Sequence, residues 1–174
     1  MGNFHGSTFD SLVCACLPCA GDPGSGTVVG KLCNPGDRIC GPEPRRAPDN
    51  KICFTGVGDY TMTKGRRSSR TAIFRVDVED HSEPGGTNGP APPDHYHIQL
   101  WLVPTNATAD DAFHLALREA ISCGAHVADS FVPQVGGHSV APDIDDGGDL
   151  FRGNHQFHPE INKKACSTTS TLRP

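Results

Sequence analysis

The chain is short of apolar residues. Hydrophobic side chains make up 36% of its 174 residues and aromatics 6%, with one Trp and two Tyr, below the ordinary globular share. This length fits one domain plus an arm or tail, so a core can form but must be modest. No stretch approaches the ~20 consecutive apolar residues of a membrane helix, and no membrane span is expected. A dominant charge is missing too: the formal net charge of -5 is too small to dictate a partner. Basic residues gather only at Arg45-Arg46 and at Lys64, Arg66, Arg67 and Arg70. That pattern reads as a solvated loop, not as a face for nucleic acid. There is no Gly-rich phosphate loop and no nucleophile elbow, and Ser68, Ser69 and Ser82 have no triad context. Residues 1–13, MGNFHGSTFDSLV, lack the basic start and continuous apolar core of a secretory signal. An exported product is therefore expected to be part of a longer protein or to begin elsewhere, with an intracellular chain as the alternative.

What the chain does hold is glycine, proline and cysteine. Gly 20 and Pro 15 favour turns over long helices. The eight cysteines are Cys14, Cys16, Cys19, Cys33, Cys40, Cys53, Cys123 and Cys166. An even number in a Gly/Pro-rich chain with a small core points to disulfides in an oxidising compartment, although spacing does not give their connectivity. A bridge closing a long loop, such as Cys53 to Cys123, is worth ~3–4 kcal/mol. The competing reading is a structural zinc held by the tight thiol cluster Cys14, Cys16, Cys19 with Cys33 and Cys40. The paired C-x2-C spacing of a zinc ribbon is absent.

Three segments follow from the pattern. Residues 1–50 read as an irregular Cys-rich arm, interrupted by GDPGSG and GPEPRRAPDN. Residues 51–165 read as a β-rich domain, and 166–174 as a disordered tail. Within the domain, TAIFRVDV at 71–78 alternates, with Phe74, Val76 and Val78 on one side and Arg75 and Asp77 on the solvent side of a half-buried strand. HYHIQLWLV at 95–103 forms the next strand. Tyr96, Ile98, Leu100 and Leu102 face the core, and His95, His97, Gln99 and Trp101 face away. The two strands are expected to pair antiparallel across a long connection. One short helix is expected over about 108–123, capped by Thr108 with Asp111 three residues on, with Phe113, Ala116, Leu117, Ala120 and Ile121 on its buried face. A short strand and turn follow at 126–141. The polar stretch APDIDDGGDLFRGNHQFHPEI holds too few apolar residues for a regular core element. The fold class expected is mainly β: an antiparallel β-sandwich-like domain with one short helix.

Phe74-x-Val76-x-Val78-x-Asp80, then Glu83-Pro84-Gly85, then Asp94-x-Tyr96-x-Ile98, with Gly56 and Gly58 upstream, resembles the post-choice-of-anchor domain of bacterial surface and exported proteins. The likeness covers about residues 52–104, and more loosely 141–158 through Ala141-Pro142-Asp143-Ile144-Asp145-Asp146-Gly147-Gly148 and Gly153-Asn154-His155-Gln156. The chain departs from the pattern by inserting SEPGGTNGPAPP. The resemblance implies a β-sandwich-like accessory module at a cell surface. It carries over no catalytic residue.

Candidate sites come from the residues themselves. Asp80, Glu83 and Asp94 flank a strand-to-strand loop and suit a hard cation such as calcium, or else bond backbone amides to fix the turn. Asp143, Asp145, Asp146 and Asp149 echo an acidic calcium loop but miss the EF-hand order; a solvated acidic turn is the plainer reading. His95 and His97 share one strand face, and His155 and His158 lie three apart, so the two pairs could form a transition-metal site. Trp101 is the candidate contact surface. The expected function is a non-enzymatic extracellular or cell-surface module for adhesion, anchoring or spacing, with an unidentified surface polymer or protein as partner and calcium as the possible cofactor. The alternatives are a metal-dependent enzyme using the histidines and a cytosolic zinc-binding interaction protein built on the cysteine arm.

Overall fold

The computed structural model describes residues 2–16, 28–29, 51–63, 68–79, 94–123, 131–150 and 170–171. The fold is mainly β, an open antiparallel sheet with one short helix, as the alternation implies. Its strands are β1 (Gly2–Cys16), β2 (Val28–Val29), β3 (Lys51–Met62), β4 (Ser69–Glu79) and β5 (His95–Leu102). Helix α1 (Ala112–Ala120) follows, then β6 (Gln134–Val135), β7 (His138–Ser139), β8 (Ile144–Asp149) and β9 (Ser170–Thr171). The order across the large sheet is β2-β1-β3-β4-β5-β8, with β9 also on β1 and β6-β7 forming a separate hairpin. The β4–β5 pair is antiparallel across a long connection, as expected.

Both faces of the sheet carry apolar clusters. On one, Ala72, Phe74, Val76, Val78 and Leu100 are buried, with Phe4, Phe54, Tyr96, Ile98 and Ile144 packed against them. Phe74 is the hub of this aromatic face, meeting Phe4, Phe9 and Phe54 edge-on at 5.1–6.1 Å between ring centroids. On the other, Ile73, Trp101, Val103, Leu117 and Ile121 join the sheet to α1. The alternation along β5 is therefore read correctly, face by face.

Four expectations about the sheet and chain ends need correction. Residues 2–16 are not part of an irregular arm. They form β1, paired with β3 along nearly its whole length, so the sheet begins well before Lys51. Two bulges break the period that alternation would show, at Gly6/Thr8 and Phe9/Ser11. Glycine in β3 answers them: a Cβ on Gly56 would stand 1.9 Å from the Thr8 carbonyl oxygen. The tail expected to be disordered contributes Ser170–Thr171 to the sheet beside Leu12 and Ser11. The solvent side assigned to β4 is buried as well: Arg75 is 1% exposed and Asp77 3%, because β4 is a central strand whose second face lies under the chain around Ile121 and Phe131. Finally, the acidic segment read as a solvated turn is a strand over 144–149 on the edge of β5, though not a core element. An edge strand is held by its backbone ladder and needs few apolar side chains.

The helix starts one turn later than Thr108 suggests. Asp111 is the N-cap, and its Oδ1 accepts from the His114 backbone N at 3.0 Å and from its ring Nδ1 at 2.9 Å. Those bonds hold the Asp111 carboxyl below its ordinary pKa, the backbone bond contributing most. The buried side is His114, Leu117 and Ile121, while Phe113 stays 49% exposed. Arg118 ties the helix to β1: its Nε and Nη2 meet the two Asp10 oxygens at 2.7 and 2.6 Å. Asp10 can reach it because it sits in the second bulge. Its hydrogen bonds raise the Arg118 pKa above the ordinary value.

Candidate functional site

Strand register places polar residues of one face in rows that cross the sheet. The first row runs Lys51, Glu79, His95, Asp149 from β3 to β8. The second runs Cys53, Asp77, His97, Gly147, and the third Ser11, Thr55, Arg75, Gln99, Asp145. Residues directly opposite on paired strands share a face and touch, so register alone brings these groups together. This is the face that α1 covers nearer Trp101.

Some contacts in these rows join opposite partners, and others run along one strand or diagonally between two. Lys51 Nζ pairs with Glu79 Oε1 in a buried ion pair. Arg75 Nε donates to Asp77 Oδ2 at 2.9 Å and Nη2 to Oδ1 at 3.3 Å, a fork meeting a carboxylate. Arg75 also donates to the Ile121 carbonyl at 3.2 Å and lies 4.7 Å from the centre of the Phe131 ring. Ser11 and Thr55 share a 2.6 Å hydroxyl bond. On the edge, His95 Nδ1 lies 3.2 Å from Asp149 Oδ1, and His97 Nε2 is hydrogen-bonded to Asp145 Oδ1. Gly147 makes the second contact possible. It stands opposite His97, and a Cβ there would lie 3.0 Å from the ring and 2.6 Å from the Tyr96 carbonyl oxygen. Gln99 Nε2 donates to the Phe131 carbonyl at 3.0 Å and to Asp145 Oδ2 at 3.4 Å, which leaves its Oε1 buried with no partner among the described residues.

The candidate residues thus divide. His95 and His97 do meet acidic residues, but these are Asp149 and Asp145 of the neighbouring strand; His155 and His158 lie outside the described residues. The β8 carboxylates do not converge on one point, as a calcium loop would require. Strand alternation sends Asp145 and Asp149 to the histidine face and Asp146, opposite Ile98, to the aromatic face. Asp143 precedes the strand and accepts the Leu102 backbone N at 2.6 Å, closing the end of the ladder. Asp94 is buried and its carbonyl accepts from Leu150 N at 2.7 Å; Asp80 and Glu83 lie outside the described residues. No cluster of three or more His, Cys, Asp or Glu suited to a metal occurs among the described residues. Trp101, expected on a contact surface, is 3% exposed and donates Nε1–H to the Val140 carbonyl at 3.0 Å. It is a core residue, since α1 covers the face that alternation assigned to solvent.

Cys53 and Cys123 form a disulfide spanning 70 residues of sequence, with Cα atoms 5.8 Å apart and both residues fully buried beside Val13. It fastens the chain just beyond α1 to the middle row of the sheet, and Cys123 N adds a 3.2 Å bond to the Ser11 hydroxyl. The side chains of the other six cysteines lie outside the described residues. Sequence reasoning missed the Lys51–Glu79 pair, which only strand register reveals; it placed Arg75 and Asp77 on one side of β4 but not their burial or their pairing.

No family model matches the chain, and neither a curated protein nor a solved structure resembles it.

Proposed function

We propose that the chain is a non-enzymatic accessory module working outside the cell or at its surface, in adhesion, anchoring or spacing against a surface polymer or protein. The observation that carries this reading is the Cys53–Cys123 bridge, buried at the junction of sheet and helix. Disulfides of this kind persist in oxidising compartments and are rare in reducing ones. The charged face supports the same reading, because its groups are spent on one another: Lys51 on Glu79, Arg75 on Asp77, His97 on Asp145. Such pairing builds a rigid scaffold. The likeness of residues 52–104 to the post-choice-of-anchor pattern points to the same setting.

The test is surface labelling of intact source cells with a membrane-impermeant amine reagent, combined with thiol alkylation before and after reduction. The module reading expects labelling without lysis, and alkylation of Cys53 and Cys123 only after reduction. Labelling that appears only on lysis, with both thiols already free, would end it.

A further inference from the structure

Lys51 and Glu79 are the first two members of the Lys51, Glu79, His95, Asp149 row. They stand directly opposite on adjacent strands, their side chains meet, and water is nearly excluded from both: Lys51 is 1% exposed and Glu79 7%. Lysine and glutamate are almost never fully buried unless paired. In water an amine and a carboxylic acid do not condense, since ionisation of both favours the separate groups. In a dry site ions are the costly form, so that advantage shrinks, while a neutral amide and a released water gain. Holding two reacting groups in place also raises their effective concentration, to about 10^5–10^8 M in well-oriented cases.

We propose that Lys51 and Glu79 condense to an isopeptide bond that joins β3 covalently to β4. The Lys51 ammonium passes one proton to the Glu79 carboxylate across their hydrogen bond. The freed nitrogen lone pair attacks Glu79 Cδ, forming the N–C bond. A second nitrogen proton moves to the Glu79 hydroxyl, the C–O bond breaks, and one water leaves. No oxidant, cofactor or further reactant enters the balance. His95 stands opposite Glu79 on β5. The bond would stiffen the sheet beside the Cys53 row, consistent with a scaffold role but independent of where the protein resides.

Intact-mass measurement of the reduced, denatured protein tests this, followed by tandem mass spectrometry of its proteolytic fragments. The expected result is a mass lower by one water and a branched fragment linking Lys51 to Glu79. A succinimide at Asp146-Gly147 would also lose one water, so the branched fragment decides. The Lys51→Arg variant keeps the charge but supplies no condensing amine, and its fragments should show no branch. Two linear peptides from the parent protein, with Lys51 open to amine reagents after denaturation, would overturn the proposal. So would a water loss that survives in Lys51→Arg and maps elsewhere. Neither outcome affects the thiol count on which the surface reading depends.

Discussion

Removing the Arg75 guanidinium strips Asp77 of a two-pronged ion pair in a place where water does not reach. Breaking a buried pair from one side costs about 3–5 kcal/mol, whereas replacing both partners with apolar residues is often close to neutral. Arg75→Met should therefore lower the chemical-denaturation midpoint sharply, and Arg75→Met with Asp77→Leu should recover most of the loss. Equal losses in the single and double variants would contradict this account of the pair. Glycine is the second residue-scale constraint. Ala at Gly56 forces a Cβ into the Thr8 carbonyl, and Ala at Gly147 forces one into the Tyr96 carbonyl and the His97 ring. Each change should cost about 1–3 kcal/mol, with Gly56→Ala the worse because the obstructing atoms are all backbone or the buried Phe74 ring. Equilibrium urea unfolding gives the order. The sequence marked Gly56 and Gly58 as special, but the partner they accommodate lies about fifty residues earlier, behind two bulges that no local pattern announces.

Helix α1 is stabilised at its start by one carboxylate. Asp111 has a folded-state pKa below its ordinary value, so its contribution is fully present above that ordinary value, about 4. It is lost as pH falls through the lowered folded-state value. The helix should thus weaken in acid, and Asp111→Asn, which still accepts from the His114 backbone, should lose part of that acid dependence while largely keeping the cap. Far-ultraviolet circular dichroism across the acid range checks both. An acid dependence unchanged in Asp111→Asn would place the responsible group elsewhere. The helix and the Leu117–Ile121 part of its buried face were legible from its apolar period, but its start was not. Thr108 and Asp111 are both good caps, and only the geometry shows that the later one is used. Leu117 and Ile121 are buried as the apolar period implies, but Phe113 is exposed and His114 takes its place on the buried face. In the strands, alternation gave the faces of β5 correctly but could not say whether the second face of β4 would be covered. That depends on the return of the chain near Phe131, a contact between residues distant in sequence.

At the scale of the molecule, an open sheet with a modest supply of apolar residues is held by three kinds of tie. The aromatic face packs around Phe74. The opposite face pairs buried charges, Lys51 with Glu79 across two strands and Arg75 with Asp77 along one. The Cys53–Cys123 bridge fixes the chain beyond α1 to the sheet. The need for cross-links was readable from composition, since a chain poor in greasy residues and rich in glycine, proline and cysteine must find rigidity elsewhere. The burial of four charged side chains was not readable: Lys51 meets Glu79 only through strand register, and Arg75 and Asp77 are covered by chain distant in sequence. Closing a loop of 70 residues is worth about 4 kcal/mol through the unfolded chain, a large part of the ~5–15 kcal/mol by which a domain is stable. The most direct test is urea unfolding of the parent protein against the Cys53→Ser, Cys123→Ser double variant. The account predicts an unfolding free energy lowered by roughly that amount and a lower midpoint, with no such loss in surface controls. A double variant as stable as the parent would show that the bridge is not what holds helix and sheet together.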